Sequence, residues 1–283
     1  MSLKIVVLAK QVPDTRNVGK DAMKADGTIN RAALPAIFNP EDLNALEQAL
    51  RLKDEHPGST VTILTMGPGR AAEVIREGLY RGADNGYLLT DRAFAGADTL
   101  ATSYALATAI KKIGDYDVII GGRQAIDGDT AQVGPQVAEK LGLTQVTYAE
   151  EILNVDKAAK KITVKRHIDG GVETVEAPLP IVITVNGSAA PCRPRNAKLV
   201  QKYKRALGAQ EKASHHQGRR WACLRRPLRE ISISEHHGME RCRRERRPCT
   251  MRSERLAHKG EDHSEHFIPG QRKQDADGQR PGC

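Results

Sequence analysis

The sequence predicts an α/β fold in which a mainly parallel sheet continues into an antiparallel hairpin extension. Short apolar runs alternate with segments of helical spacing from residue 3 to residue 141. Glycine-rich turns follow the runs that end at Met66 and Gly121. From Val146 onward the helical segments give way to strands. Strands that alternate with helices form parallel sheets with right-handed crossovers, and this pattern covers the first half of the chain.

Each strand predicted in the first half is followed by a helix. The predicted strands cover residues 3–9, 60–66, 86–90 and 116–121. The first helix begins at Asn39-Pro40, because asparagine is a good N-cap and proline suits the first helical position. It runs to about Asp54. A second helix carries its apolar residues at 72, 75 and 79, Asp98 caps a third, and a fourth follows with Val133 and Leu141 on one face.

The second half reads as strands over residues 150–155, 161–167, 172–177 and 181–185. Asp169-Gly170-Gly171 is a hairpin turn signal between two of them. We expect all four strands to form the antiparallel extension. A rigid basic loop over residues 191–195 then leads into a short basic helix over residues 196–205. That helix is either a solvated face or a contact for a partner.

Composition indicates a soluble globular protein of one large domain or two small ones, with 39% hydrophobic and 28% charged residues. No run approaches the roughly 20 apolar residues of a membrane helix, and the first residues lack the order of a signal peptide. Cys192 is the one cysteine of residues 1–206, so no disulfide framework is expected there. We therefore expect a cytoplasmic protein without membrane insertion.

The last 77 residues differ from the rest. Residues 1–206 carry 27 Lys and Arg against 24 Asp and Glu, whereas residues 207–283 carry 17 against 11 and contain no Val, Tyr or Asn. We predict a domain over 1–206 and a tail over 207–283 without a globular pattern. The tail is a disordered nucleic-acid-binding segment, a zinc module built on its four cysteines, or an out-of-frame translation, and we favour the last. Few aromatics, 4% overall, argue against nucleic-acid binding by the domain.

The loop over residues 121–135 is the main candidate site. It follows a strand and precedes a helix, which is where α/β proteins bind a nucleotide phosphate on backbone N–H groups and a helix dipole. Gly121, Gly122 and Gly128 permit a positive φ and close backbone approach. Arg123 can neutralise a phosphate, whereas the aspartates of the loop suit helix capping or ribose contacts. Thr130 or Asp129 can cap the helix. A purely structural strand-to-helix turn explains the same spacing.

Residues 1–206 closely resemble the beta (small) subunit of electron-transfer flavoproteins. The motifs that carry the resemblance are Asn39-Pro40-Glu41-Asp42, the loop Gly122-Arg123-Gln124-Ala125-Ile126-Asp127-Gly128-Asp129-Thr130, and the hairpin over 164–184. The resemblance implies a Rossmann-like fold and an adenine-nucleotide site. The implied cofactor-binding residues are Ala9, Lys10, Asn39, Pro40, Glu41, Asp42, Met66, Gly67, Gly121, Gly122, Arg123, Gln124, Ala125, Asp127, Gly128, Asp129, Thr130, Gln132, Val133 and Gly134. No catalytic residue and no metal ligand is implied.

The resemblance also implies an electron carrier that is not itself an enzyme. It pairs with an alpha subunit that carries an FAD, and its own site holds AMP or, in the flavin-bifurcating branch, a second FAD. Gly128 and Val133-Gly134-Pro135 are similar to the bifurcating form, which favours FAD. Implied electron-transfer partners are acyl-CoA dehydrogenase, NADH, and ferredoxin or flavodoxin. The family places a dehydrogenase-recognition loop at Pro194-Arg195.

Two expectations follow from where the resemblance stops. Residues 207–283 do not match the family's C-terminal arm, which embraces the alpha subunit, so we expect this chain to pair poorly with that partner. The alternative function is a generic adenine-nucleotide-binding module of the stress-protein or ATP-pyrophosphatase type. Such a module would share the sheet and the phosphate loop but would not need the hairpin over 164–184.

Overall fold

A computed structural model describes residues 2–14 and 35–206. The tail over 207–283 lies outside the described residues, so the division of the chain at residue 206 stays a prediction. The described strands are β1 (Lys4–Leu8), β2 (Gln11–Pro13), β3 (Ala36–Phe38), β4 (Thr60–Met66), β5 (Asn85–Leu89), β6 (Val118–Gly122), β7 (Thr144–Asp156), β8 (Lys161–Ile168), β9 (Gly171–Pro178) and β10 (Ile181–Val185). The described helices are α1 (Pro40–Glu55), α2 (Ala72–Arg81), α3 (Thr99–Ile113), α4 (Val133–Leu141) and α5 (Ala197–Tyr203).

An eight-stranded sheet has the order β5-β4-β1-β6-β10-β7-β8-β9. Neighbours from β5 to β10 are parallel, and β10 also pairs in parallel with β7. β7, β8 and β9 pair antiparallel. The predicted α/β class, with a mainly parallel sheet and an antiparallel extension, is confirmed.

The predicted place of residues 181–185 is wrong. β10 does not belong to the antiparallel extension but lies inside the parallel sheet, between β6 and β7. All five of its residues are buried, with Ile181 and Ile183 facing one core and Val182 facing the other. Burial on both faces is typical of a central parallel strand, whereas an antiparallel strand at the solvent alternates.

Two further details differ from the sequence analysis. β7 begins at Thr144 rather than at residue 150, and its first residues pair with β10 before the rest pairs with β8. β2 and β3 form a small antiparallel ribbon that the polar sequence after β1 did not indicate. Their register places Val12 opposite Ile37, so the ribbon leads the chain back to the start of α1.

Helices cover both faces of the sheet. α1 and α2 pack on one face through residues such as Leu46 and Ile75, and α3 and α4 pack on the other through Ile110 and Val137. Successive residues of β1 alternate between the two cores, which explains why its sequence is continuously apolar. Within residues 2–14 and 35–206, no helix combines the length and the apolar character that crossing a bilayer requires.

α2 packs on β4 without a side chain at one contact. A Cβ built on Gly78 would overlap Ile63 Cδ1, and Ile63 is fully buried. The glycine therefore permits close approach of helix and sheet, at a cost in helix propensity of about 1 kcal/mol relative to alanine.

We expect Gly78→Ala to destabilise the chain by about 1–3 kcal/mol, because a methyl group must enter a filled space. Ile63→Val removes the overlapping Cδ1 and by itself costs about 0.5–1.5 kcal/mol. The double variant should lose less unfolding free energy than the two single variants lose together, as urea unfolding would measure. Simple additivity would contradict the proposed contact.

Candidate functional site

The predicted site residues lie at or beside the carboxyl edge of the parallel strands. Ala9 and Lys10 follow β1, Gly121 and Gly122 end β6, and the loop over 123–132 leads from β6 to α4. Asn39 to Asp42 form the start of α1, beside the ends of β1 and β6. Ligands of open α/β sheets bind at this edge. Met66 ends β4 and Gly67 follows it, and β4 is on the other side of β1 from β6, so both residues lie two strands away from the loop.

The first turn of α1 holds the loop by side-chain hydrogen bonds. Asn39 Nδ2 donates to the Gln124 carbonyl at 2.9 Å, and Asn39 Oδ1 accepts from the Ile126 N–H at 3.2 Å. Glu41 Oε2 accepts from the Gln124 N–H at 2.9 Å. Asn39 occupies the N-cap position as predicted, but its side chain makes no capping bond among the described residues. Its fully buried amide binds the loop instead.

Asp42 joins the ends of two strands. Its Oδ2 accepts from the Lys10 N–H at 2.8 Å, and its Oδ1 accepts from the Gly122 N–H at 3.0 Å. Asp42 is only 7% exposed to solvent. Burial raises the pKa of Asp42 to about 7, although the N–H groups of Lys10 and Gly122 and the Asn39 amide pull it down.

Two of the three predicted glycines serve close approach: a Cβ on Gly121 would lie 3.3 Å from Leu8 Cβ, and the contact at Gly122 is closer still. A Cβ on Gly122 would overlap Asp42 Oδ1 and crowd the α1 backbone. No described atom lies within 4 Å of a Cβ built on Gly128. The left-handed positions of this loop are Asp129 and Ala131, with φ of 48° and 52°. These two residues come shortly before α4. The helix begins at Val133, and its N-cap is Gln132 rather than Asp129 or Thr130 as predicted.

Most N–H groups over residues 122–129 are already used within the protein. Those of Gly122, Gln124 and Ile126 bind α1 side chains, and those of Gly128 and Asp129 bind the Ala125 carbonyl. The first N–H groups of any α-helix have no partner within the helix, and this holds for the start of α4. In the described part of the chain, backbone N–H groups without a bond inside the protein are therefore found at the start of α4, at Val133 and Gly134, rather than in most of the glycine-rich part of the loop.

The charged side chains of the loop are paired. Arg123 Nη2 lies 3.1 Å from Glu41 Oε1, and its guanidinium lies 5.5 Å from the centre of the Tyr148 ring. The pKa of Arg123 is raised chiefly by its bond to Glu41. Lys10 Nζ binds Asp127 at 2.7 Å, and the Asp127 side chain is 1% exposed. Arg123 thus balances Glu41, and its contact with a phosphate stays a prediction.

Polar side chains also join the starts of α3 and α4. The Thr99 hydroxyl donates to Gln132 Oε1 at 2.8 Å, and the buried Ser103 hydroxyl lies 3.0 Å from Gln136 Oε1. Asp98 caps α3 as predicted by accepting from the Ala101 N–H. Two helix N-termini are therefore held side by side at the carboxyl edge, and both dipoles favour an anion there.

Sequence reasoning missed two residues of this region. Thr184 of β10 is buried, and its Cγ2 is the atom that a Cβ on Gly134 would overlap. Tyr148 of β7 contacts Arg123, whose guanidinium lies over its ring. Neither stands in a motif, and both come close to the loop only because β10 and β7 lie beside β6. The correct order of the strands was the signal needed to find them.

Comparison with known proteins agrees with this architecture. Residues 26–208 match the family model described as "Electron transfer flavoprotein domain". The chain is 52% identical over 182 residues to "Caffeyl-CoA reductase-Etf complex subunit CarD" of Acetobacterium woodii, and the aligned region covers 64% of this chain and 68% of the relative. It is 51% identical over 187 residues to "Protein FixA" of Azorhizobium caulinodans, with 65% and 66% covered. It is 50% identical over 188 residues to "Electron transfer flavoprotein subunit beta" of Megasphaera elsdenii, with 64% and 68% covered. The match thus spans about two thirds of each relative's length.

The start of α4 depends on close contact with β10. We expect Gly134→Ala to cost about 1–3 kcal/mol and to weaken AMP binding, because the new methyl group pushes the α4 N–H groups away from their place. Thr184→Ser removes the overlapping Cγ2, so the double variant should regain most of both losses. Thermal unfolding and calorimetric AMP titration measure the two effects. A double variant as impaired as Gly134→Ala would rule out this contact as the cause.

The raised pKa of Asp42 predicts a pH-dependent stability. Between about pH 4 and pH 7 the folded chain keeps a proton on Asp42 that the unfolded chain, with an ordinary aspartate pKa near 3.9, has lost. The free energy of unfolding therefore falls as pH rises through this window, with a slope from this group approaching about 1.4 kcal/mol per pH unit.

Urea unfolding of the wild type and Asp42→Asn between pH 4 and pH 8 isolates this contribution. The variant loses one acceptor and should be less stable overall. The difference in unfolding free energy between the two proteins should shrink as pH rises and become constant above about pH 7. A difference that does not change with pH would disprove the assignment.

Proposed function

The chain belongs to the electron transfer flavoprotein domain family, and from this premise we propose that it is the beta-type subunit of an electron transfer flavoprotein. In this role it binds an adenine-containing cofactor at the carboxyl edge of the sheet and passes electrons within a larger complex. The observation that carries the proposal is the loop between β6 and α4. Three side chains of the first turn of α1 hold this loop, beside the free start of α4.

The residues at this edge suit an adenine nucleotide. The N–H groups at the start of α4 are placed for a phosphate, and Gly134 lets them approach the sheet closely. Gly122 fits against Asp42 without a side chain, so the loop is shaped before any ligand arrives. Asp129 is held by the Gln124 amide at 2.9 Å. Of the predicted cofactor residues, those over 130–134 are therefore the proposed phosphate contacts.

We propose FAD, with AMP as the alternative. The position of Gly128 is open, so no side chain of the loop occupies the space there. One curated relative carries "Etf complex" in its name, together with a reductase. When bound, the flavin supplies the redox chemistry, while the protein binds and orients it. The described residues accordingly act by positioning and electrostatics.

The proposed partners follow from the same premise. An alpha subunit would complete the flavoprotein, and the complex would exchange electrons with an acyl-CoA dehydrogenase or with NADH and ferredoxin or flavodoxin. The subunit would be an electron carrier rather than an enzyme on its own. The only cysteine of residues 1–206 fits this role, because burial raises the pKa of the Cys192 thiol to about 11 and keeps it protonated.

The visible absorption spectrum of the purified full-length chain tests the proposal. Flavin bands, together with FAD released on denaturation, are the expected result. A colourless protein that releases AMP would replace FAD by AMP and keep the family role. A colourless protein that neither contains nor binds either nucleotide would overturn the proposed function.

Gly128 provides a second test. Gly128→Asp should leave the unfolding free energy within about 0.5 kcal/mol of wild type, because the new side chain meets no described atom. It should weaken FAD binding by about tenfold, since a carboxylate is added near the cofactor's pyrophosphate. Gly128→Asn, which has the same shape without the charge, is the matched control. Equal losses in both variants would mean that charge is not the cause.

A further inference from the structure

Tyr148 has a backbone conformation that aromatic residues rarely adopt. Its φ is 57°, in the left-handed region, although it lies inside β7. The pairing of β7 with β10 shifts register at this point, between Val146 and Ala149. Such a conformation costs free energy and persists only where the surrounding structure requires it, often at functional sites.

Tyr148 lies at the carboxyl edge of the sheet. The residue after it, Ala149, belongs to a row of paired residues that crosses from β7 through β10 to the end of β6. Ala149 pairs with Val185, and Val185 pairs with Gly122 and accepts from the Arg123 N–H. The register shift and the left-handed backbone thus accompany a ring that lies over the Arg123 guanidinium, 5.5 Å from ring centre to Cζ. A guanidinium over an aromatic face is attracted by the ring quadrupole.

Arg123 connects the ring to the loop. Its guanidinium lies 3.1 Å from Glu41 Oε1, and the other oxygen of Glu41 accepts from the Gln124 N–H at 2.9 Å. Both charged side chains are mostly buried, at 25% and 13% exposed. Without its place between ring and carboxylate, Arg123 could turn toward solvent and leave the Glu41 charge unbalanced beside an anionic ligand.

We propose that Tyr148 is a positioning residue of the nucleotide site, which holds Arg123 on Glu41 so that the loop over 123–126 keeps its shape and neutral charge. The inference rests on the proposed nucleotide-binding function. Among the described residues, four non-glycine residues have positive φ, and three of them, Asp129, Ala131 and Tyr148, belong to the loop over 123–132 or contact it. The fourth, Lys160, lies in the turn between β7 and β8 and provides a control.

The test compares Tyr148→Phe, Tyr148→Ala and Tyr148→Gly in the full-length chain. AMP and FAD titrations measure affinity, and thermal unfolding measures stability. Both variants without a ring should bind the nucleotide that wild type binds about three- to tenfold more weakly. The phenylalanine variant keeps the ring but loses the hydroxyl that also bonds to Arg123, so its affinity should lie between those of wild type and the alanine variant. The glycine variant should unfold roughly 2–4 °C above the alanine variant, because only glycine adopts this φ without strain.

Lys160→Gly is the matched control for strain. It should raise the unfolding temperature without changing nucleotide affinity, since Lys160 contacts no residue of the loop among its described hydrogen bonds. A side chain with a purely structural role at position 148 would instead give affinities that are equal in all three variants. That result, with wild type binding normally, would overturn the positioning role alone. A wild type that binds neither AMP nor FAD would overturn this inference together with the proposed function.

A double-mutant cycle with Glu41→Gln tests whether Tyr148 acts through Arg123. In the Glu41→Gln background the charge that Arg123 balances is gone, so Tyr148→Ala should cost less affinity there than in the wild type. The same loss in both backgrounds would mean that the ring does not act through this ion pair and would contradict the proposed route.

Discussion

The hydrogen bonds from the first turn of α1 to the loop after β6 are the constraint on which the described site depends. Asn39, Glu41 and Asp42 satisfy backbone groups of Lys10, Gly122, Gln124 and Ile126, which are only partly accessible to water in this half-buried loop. Asp42 in addition fixes the ends of β1 and β6 to the same helix turn. The helix start, two strand ends and the loop therefore form one unit.

The later turns of α1 extend this unit to β7 and to the segment after β10. Gln48 both donates to the Glu150 carbonyl and accepts from the Ile152 N–H, and Asn44 donates to carbonyls at 187 and 189. Burial opposes ionisation of Glu47, but its bonds to Arg193 lower its pKa below the usual range. One helix thus positions the loop with its first turn and the segment before α5 with its later turns.

Sequence reasoning predicted the elements whose signal is local. Continuous apolar runs identified the strands of the parallel sheet, and Asp98 and Asn39-Pro40 identified two helix starts. It failed where the answer depends on strand order: the run over 181–185 shows burial on both faces but not which strands lie beside it. For the same reason Thr184 and Tyr148 could not be connected with a loop about 50 and 20 residues earlier.

The site shows a similar division. The loop, the start of α1 and the end of β1 meet at one edge of the sheet, as expected, while their contacts with a cofactor stay a prediction. The roles of individual residues differed, because a side chain binds whichever neighbour the fold supplies. Asn39 binds the loop rather than its own helix, and Arg123 pairs with Glu41 rather than standing free. Such choices depend on distances between elements, which local sequence does not contain.

The internal hydrogen bonds of the loop over 122–129 have a kinetic consequence. Because folding itself orders this backbone, a ligand that arrives meets a surface that is already shaped and loses little chain entropy on binding. Association then needs no slow rearrangement of these residues, and differences in affinity between ligands would appear mainly in their rates of dissociation. If the proposed site holds a cofactor, its residence time would accordingly depend on the start of α4, where the first N–H groups have no intrahelical partner.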